Sequence, residues 1–254
     1  MMPAVLLADI AGFLDEYLAV EDVPDYPYAM NGLQVEGPER VSRVAVAVDA
    51  SEAVIAEAGA WADLLIVHHG LFWGGLQPLT GPHFRRVRRL IRSRTALYSA
   101  HLPLDGHAEV GNAAVLARGL GLEALEPFGD YRGFAVGWRG KREEAPLAEL
   151  VESLAALTAT GVRALPGGPD PVSSVGVVTG AGASTLHEAA GAGLDVLVTG
   201  EAQHHHAIEA VELGVTVLLG GHYATEVWGV RALLGLLRDH FGIDGRFVDS
   251  PTGL

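Results

Sequence analysis

Two periodicities alternate along the chain. Short runs of consecutive apolar residues, VAVAV (44–48), LLIV (64–67) and ALYSA (96–100), have the length and composition of strands buried on both faces. Between them lie segments with helical spacing, SEAVIAEAGAWA (51–62) and the basic HFRRVRRLIRSR (83–94). Asp49 stands three residues before Glu52, where a capping box would start the first of these helices. Strands joined this way predict a parallel sheet covered by helices. The opening stretch, MMPAVLLADIAGFLDEYL, predicts an amphipathic helix, because Asp9 and Asp15 interrupt its apolar pattern and no basic segment precedes it.

The pattern then begins again. VGVV (175–178) leads to a helix near 184–191, then DVLVT (195–199), a helix from about 203, VTVLL (215–219) and a helix over about 223–240. VAVAVDASEAVIAEAGAWADLLIVHHG (44–70) aligns in character with VGVVTGAGASTLHEAAGAGLDVLVTGE (175–201), with Asp63 over Asp195. The fold class expected is α/β, with two similar α/β lobes of mainly parallel strands forming an internal repeat. Residues 1–120 would be the first lobe, 121–172 a connecting α/β segment containing GFAVGWRG, LAELVESLAAL and PGGPDP, and 173–254 the second lobe. All three would be closely packed as one unit.

Polar residues gather where the expected strands end. His68-His69 closes LLIV, His101-Leu-Pro-Leu-Asp105 closes ALYSA, and His222-Tyr-Ala-Thr-Glu226 follows VTVLL and Gly220-Gly221. In open α/β sheets the C-terminal strand edge is where ligands bind. The last two clusters share the form His-x-x-x-carboxylate, and four residues apart on a helix is one face. Pro103 fits such a helix only in its first turn. Four imidazoles and two carboxylates suit Zn, Mn, Fe, Co or Ni better than Ca or Mg, and suffice for two divalent ions. Two such ions sharing a water would lower its pKa and stabilise negative charge in a hydrolytic transition state.

Other polar groups read more plainly. His204, His205 and His206 open an expected helix and would face solvent or line a pocket; His83, His107, His187 and His240 have no partner in the repeat and read as structural or as groups that support a ligand from behind. The arginines of 85–94 form a solvated helix face or a phosphate contact. Asn31-Gly32-Leu33-Gln34 reads as a turn, either a simple loop or a substrate contact, and Trp73 either stacks on a base beside the metals or fills core, with core the favoured reading.

Composition narrows the chemistry. The 254 residues include no cysteine, which excludes disulfides, thiolate nucleophiles, Cys-bound zinc and iron–sulfur clusters. Against 17 Lys+Arg stand 31 Asp+Glu, a net charge of −14 that opposes non-specific binding to nucleic acid or anionic membrane. No run reaches the length needed to span a bilayer, and a cytoplasmic location is expected.

The segments NGLQVEG (31–37), HHGLFW (68–73), AHLPLDGH (100–107), TGEAQHH (199–205) and GHYATE (221–226) resemble those of the Nif-three-like family, also called GTP cyclohydrolase I type 2 homologues. The resemblance implies two α/β lobes around a central cleft with a dinuclear metal centre, in a toroidal homohexamer. It implies His68 and His69 as ligands to different ions, Asp105 and His222 completing the set, Glu226 bridging the ions as the catalytic carboxylate, and His101 as the histidine of the AHxxLD motif. Leu102 departs from the family's usual residue there. The activity implied is metal-dependent hydrolysis that opens the guanine imidazole ring of GTP, or of a related nucleotide or heterocycle; the alternative is a non-catalytic metal-binding oligomer acting as regulator or adaptor.

Overall fold

In the computed structural model, which describes residues 4–254, the first strand β1 (Val5–Leu6) runs into helix α1 (Leu7–Tyr17). After β2 (Gly32–Val35) and β3 (Arg40–Val41), which pairs with β1, comes the long strand β4 (Arg43–Asp49). Then follow α2 (Glu52–Ala58), β5 (Leu64–His69), α3 (Gly81–Ser93), β6 (Ala96–Ser99) and the one-turn helix α4 (Leu102–Asp105). Each helical return makes the next strand parallel, so β4, β5 and β6 lie side by side in one direction, with β2 antiparallel beyond β6. Alternate strand residues, Ala45, Ala47, Leu65, Val67 and Leu97, bury against Val54, Ile55 and Ala58 of α2 and Leu90 of α3. Tyr98 points to the opposite face, where its hydroxyl donates to Asp15 of α1 at 2.8 Å.

Helix α2 is capped by Ser51, whose Oγ accepts from the Val54 N–H at 3.2 Å, and not by Asp49. Asp49 is still within β4, opposite His69 of β5, and its carboxylate is engaged there instead.

Downstream lie α5 (Asn112–Gly119), β7 (Glu123–Tyr131), β8 (Phe134–Ala145), α6 (Leu147–Thr158), β9 (Arg163–Leu165) and β10 (Val172–Val177). A 3-10 turn at Gly182–Thr185 continues into α7 (Leu186–Gly191), followed by β11 (Val196–Thr199), α8 (His206–Leu213), β12 (Thr216–Leu219) and α9 (His222–Thr225). This second sheet has the order β7-β8-β10-β11-β12-β9. Its centre, β10 to β12, is parallel, while β8 and β9 flank it antiparallel. Leu116 of α5 and Leu150 and Leu154 of α6 belong to one core cluster of this sheet; Leu186 and Ala189 of α7 and Ala210 of α8 belong to the other.

The chain ends with α10 (Val227–Phe241) and β13 (Asp244–Phe247), which pairs parallel to β4 and completes the first sheet as β13-β4-β5-β6-β2. The single helix expected over 223–240 is thus two, separated at Glu226, where φ −107° and ψ 5° leave helical geometry.

Two units result, residues up to Leu104 with Gly229–Ser250, and Asp105–Trp228 with Pro251–Leu254. These boundaries differ from those read in the sequence. Residues 121–172 are no separate connection, since they supply β7, β8 and β9 to the second sheet, and the expected lobe over 173–254 gives most of its last helix and its last strand to the first unit. The two aligned aspartates make matching contacts. Asp63 Oδ2 accepts from the N–H groups of Ser42 (2.9 Å) and Arg43 (3.0 Å), and Asp195 Oδ2 from those of Ser173 and Ser174 (both 2.9 Å), fastening the starts of β4 and β10. Among the described residues no helix is long and apolar enough to cross a membrane.

Candidate metal centre

In the first unit, parallel pairing brings β5 and β6 to a common edge with His68 and His69 on one and His101 just past the other. Their ring centroids lie 4.7 Å (His68–His69), 5.0 Å (His68–His101) and 5.7 Å (His69–His101) apart. One ligand nitrogen from each lies within 4.8 Å of the others. His68 and His101 are buried and His69 is partly so.

Each of these rings is held by its Nδ1. His68 Nδ1 donates to the carbonyl of Ala100 at 2.9 Å, His69 Nδ1 to Asp49 Oδ1 at 2.8 Å, and His101 Nδ1 to Asp25 Oδ1 at 2.8 Å. A neutral imidazole that donates from Nδ1 carries its lone pair on Nε2, and this is how metal-binding histidines are oriented. Asp25 Oδ2 also accepts from the Asn31 side chain (2.9 Å) and the Leu102 N–H (3.2 Å), while Asn31 Oδ1 accepts from the His101 N–H at 2.8 Å. Burial pushes the Asp25 carboxyl up, but the His101 contact, Asn31 and the Tyr26 N–H outweigh it and hold it below the usual value.

The second unit holds Asp105, His222 and Glu226. Asp105 is buried, and its Oδ1 accepts from Asn112 Nδ2 (2.9 Å) and Thr179 Oγ1 (3.2 Å). His222 opens α9, so the four-residue spacing turns its Nε2 to within 3.2 Å of Glu226 Oε2; its Nδ1 lies 3.3 Å from Glu201 Oε1. The hydrogen bond to Glu226, opposed by burial and assisted by the charges of Glu226 and Glu201, raises the His222 pKa to about 9. Gly180, at φ +59°, makes room here: a Cβ on it would fall 2.0 Å from Glu226 Oε1 and 3.2 Å from His222 Nε2.

His205, His206 and Glu209 also bring ligand atoms within 4.8 Å of one another. His206 Nδ1, however, already accepts from the Gln203 N–H at 3.0 Å. His204 and His205 are exposed, and α8 begins only at His206.

The family model described as Duf34/NIF3 (NGG1p interacting factor 3) matches residues 5–251. The chain belongs to the Duf34/NIF3 family. Among its curated relatives, a protein of Deinococcus radiodurans is 44% identical over 97% of this chain and 94% of its own, and one of Halobacterium salinarum is 48% identical over 98% and 99%. Both bear the name GTP cyclohydrolase 1 type 2 homolog. The crystal structure of TTHA1606 from Thermus thermophilus superposes with a TM-score of 0.92 at 41% identity, covering 98% of this chain and all of that one. This Duf34/NIF3 chain therefore shares the mixed α/β fold of that solved structure, and its His and Glu clusters could hold metal ions.

Several residues of this Duf34/NIF3 protein take roles the sequence does not announce. Trp73 is not core. It is partly exposed, its ring lies edge-on to His101 with centroids 4.6 Å apart, and its Nε1 donates to the Gly70 carbonyl. Asn31 is more than a simple loop residue, since it fixes Asp25 and His101. Asp25, which holds His101, had no signal beyond being acidic, and the signal of Asp49 was that of a helix cap, not of a partner for His69. Glu201 did have one, its place in TGEAQHH. His240 and His83 pack on Phe13 and Phe72, and His107 Nδ1 accepts from the N–H groups of Glu109 and Val110.

Proposed function

We propose that this Duf34/NIF3 protein is a dinuclear metal-binding hydrolase, with His68, His69, His101, Asp105, His222 and Glu226 as ligands and Glu226 bridging the two ions. The observation that carries this reading is the shared tautomer of three histidines, each donating from Nδ1 to an oxygen and so presenting Nε2 as the basic nitrogen. The donor set fits the group: imidazoles and carboxylates without thiolate match Zn, Mn, Fe, Co or Ni. The space kept by Gly180 beside Glu226 and His222 supports the same conclusion.

Two divalent ions, when bound, supply Lewis acidity that makes water nucleophilic at neutral pH and neutralises charge developing on the substrate. The protein's part is to orient the donors. Asp25, Asp49 and the Ala100 carbonyl fix three rings, Asn112 and Thr179 fix the Asp105 carboxylate, and Glu201 steadies His222. Trp73 and Tyr26, with ring centroids 4.6 and 5.2 Å from that of His101, offer aromatic surface to a planar heterocycle. The substrate class in this reading is GTP or a related nucleotide, following the name its relatives bear. The same reading makes the working form a cytoplasmic homohexamer.

The test is metal analysis and a nucleotide screen on one preparation. About two ions per chain, with GTP consumed and formate released, is the expected result. Bound metal without turnover of any nucleotide would make the protein a non-catalytic metal binder, and absence of bound metal after loading and gel filtration would remove the centre itself.

A further inference from the structure

Helix α3 carries a charge pattern that the metal reading does not use. Residues 81–94 contain six of the chain's 17 basic residues and none of its 31 acidic ones. Arg85, Arg88, Arg89 and Arg92 recur at i, i+3, i+4 and i+7, which sets them on one face of the helix over about 10 Å of its length. All four are exposed, and with Glu52 and Ser93 they line a groove of about 450 Å³. Glu52 engages only Arg85, at 3.0 Å from its Nε. Among the described residues no carboxylate pairs with Arg88, Arg89 or Arg92.

Such an arrangement opposes the helix that bears it. Arginines three and four residues apart repel one another. A chain so rich in Asp and Glu had ample means to neutralise the stripe with neighbours at helical spacing, yet 81–94 has none. An anion from outside relieves this repulsion. Guanidinium groups bind phosphate oxygens in bidentate fashion, and the spread of the stripe matches a ligand with linked phosphates better than a single phosphate.

We infer that the groove along α3 is a binding site for a polyphosphate-bearing small molecule, formed by Arg85, Arg88, Arg89 and Arg92. The site needs no metal and is independent of the hydrolase reading. A net charge of −14 opposes a nucleic acid, whose long backbone would run beyond the groove, more than it opposes a compact polyphosphate.

The experiment is calorimetric titration of the full-length protein, as purified, with inorganic tripolyphosphate at low and moderate salt. The comparison is with the Arg88→Gln/Arg89→Gln/Arg92→Gln variant and with Arg86→Gln, which lies outside the groove. Metal content is measured in each preparation, so that binding at the metals is common to all three and the difference reports the groove. Affinity should fall at least tenfold in the triple variant, stay within twofold in Arg86→Gln, and weaken with salt in the wild type. Tripolyphosphate should raise the wild-type melting temperature more than that of the triple variant. Equal affinity in wild type and triple variant overturns the inference, as does sulfate binding equally well at matched ionic strength. Tighter binding of a single-stranded oligodeoxynucleotide overturns it in favour of nucleic acid. A changed oligomeric state in the triple variant without a change in tripolyphosphate affinity makes the stripe a subunit contact and overturns it too.

Discussion

Asp25 holds His101 by a 2.8 Å hydrogen bond from the ring Nδ1, and its second oxygen gathers Asn31 and the Leu102 N–H. The carboxylate therefore fixes both the tautomer of the ring and the path of the chain that carries it. Replacing it by Asn keeps the shape but offers the ring a weaker, neutral acceptor. Asp25→Asn should lower metal affinity about 10- to 100-fold with the fold retained. Competition with a chromophoric chelator, alongside circular dichroism, measures both. Unchanged affinity would mean that His101 is not a ligand.

Gly180 leaves the space in which Glu226 and His222 approach each other. In Gly180→Ala the new methyl group would meet Glu226 Oε1, and the left-handed backbone would be strained by about 1–2 kcal/mol. Bound metal per chain should drop while most of the secondary structure persists. Elemental analysis with thermal unfolding separates the two effects, and full metal occupancy would contradict the proposed role of Glu226.

Asp195 gives a pH signature. Burial pushes its carboxyl up, but the N–H and hydroxyl groups of Ser173 and Ser174 outweigh this and lower its pKa below the ordinary 3.8. A folded-state pKa below the unfolded one adds stability that is present above about pH 4 and lost as pH falls through the folded value. Asp195→Asn should cost about 1–3 kcal/mol at pH 7. Urea unfolding should show that gap shrinking towards pH 3; a constant gap would assign the loss to neutral hydrogen bonding alone.

Trp73 offers an optical report on the site. With its ring 4.6 Å from that of His101 and 5.9 Å from that of His69, it should be quenched when Co or Ni is loaded. Trp73→Phe should remove most of the metal-dependent quenching while Trp61, Trp138 and Trp228 remain. Titration by fluorescence decides this, and equal quenching in the variant would place the metal away from His69 and His101.

Much of this was legible in the sequence, for reasons that can be named. Strands such as Val44–Val48 and Leu64–Val67 are buried on both faces, so their composition alone marks them, and the ligand candidates stand at their ends. The four-residue spacing of His222 and Glu226 carried directly into a 3.2 Å approach. What stayed hidden was of two kinds. Asp25 reaches His101 across 76 positions from a loop without periodicity, and no local pattern encodes such a partner. Asp49 has the spacing of a cap, yet the parallel register sets it opposite His69, and tertiary pairing overrode the local signal. The unit boundaries failed for the same reason, because the partner of β4 at the sheet edge is the last strand of the chain.

That late strand has a consequence for how the molecule is made. β13 is formed by residues 244–247, so during synthesis the outer side of β4 presents unpaired backbone groups until those residues have emerged. The second sheet lies entirely within Glu123–Leu219 and has all its strands before then. An open strand edge is a template for pairing with other chains. The free edge of β4 is therefore the last strand edge of the two large sheets to be closed, and until β13 arrives it stays open to pairing with a neighbouring chain.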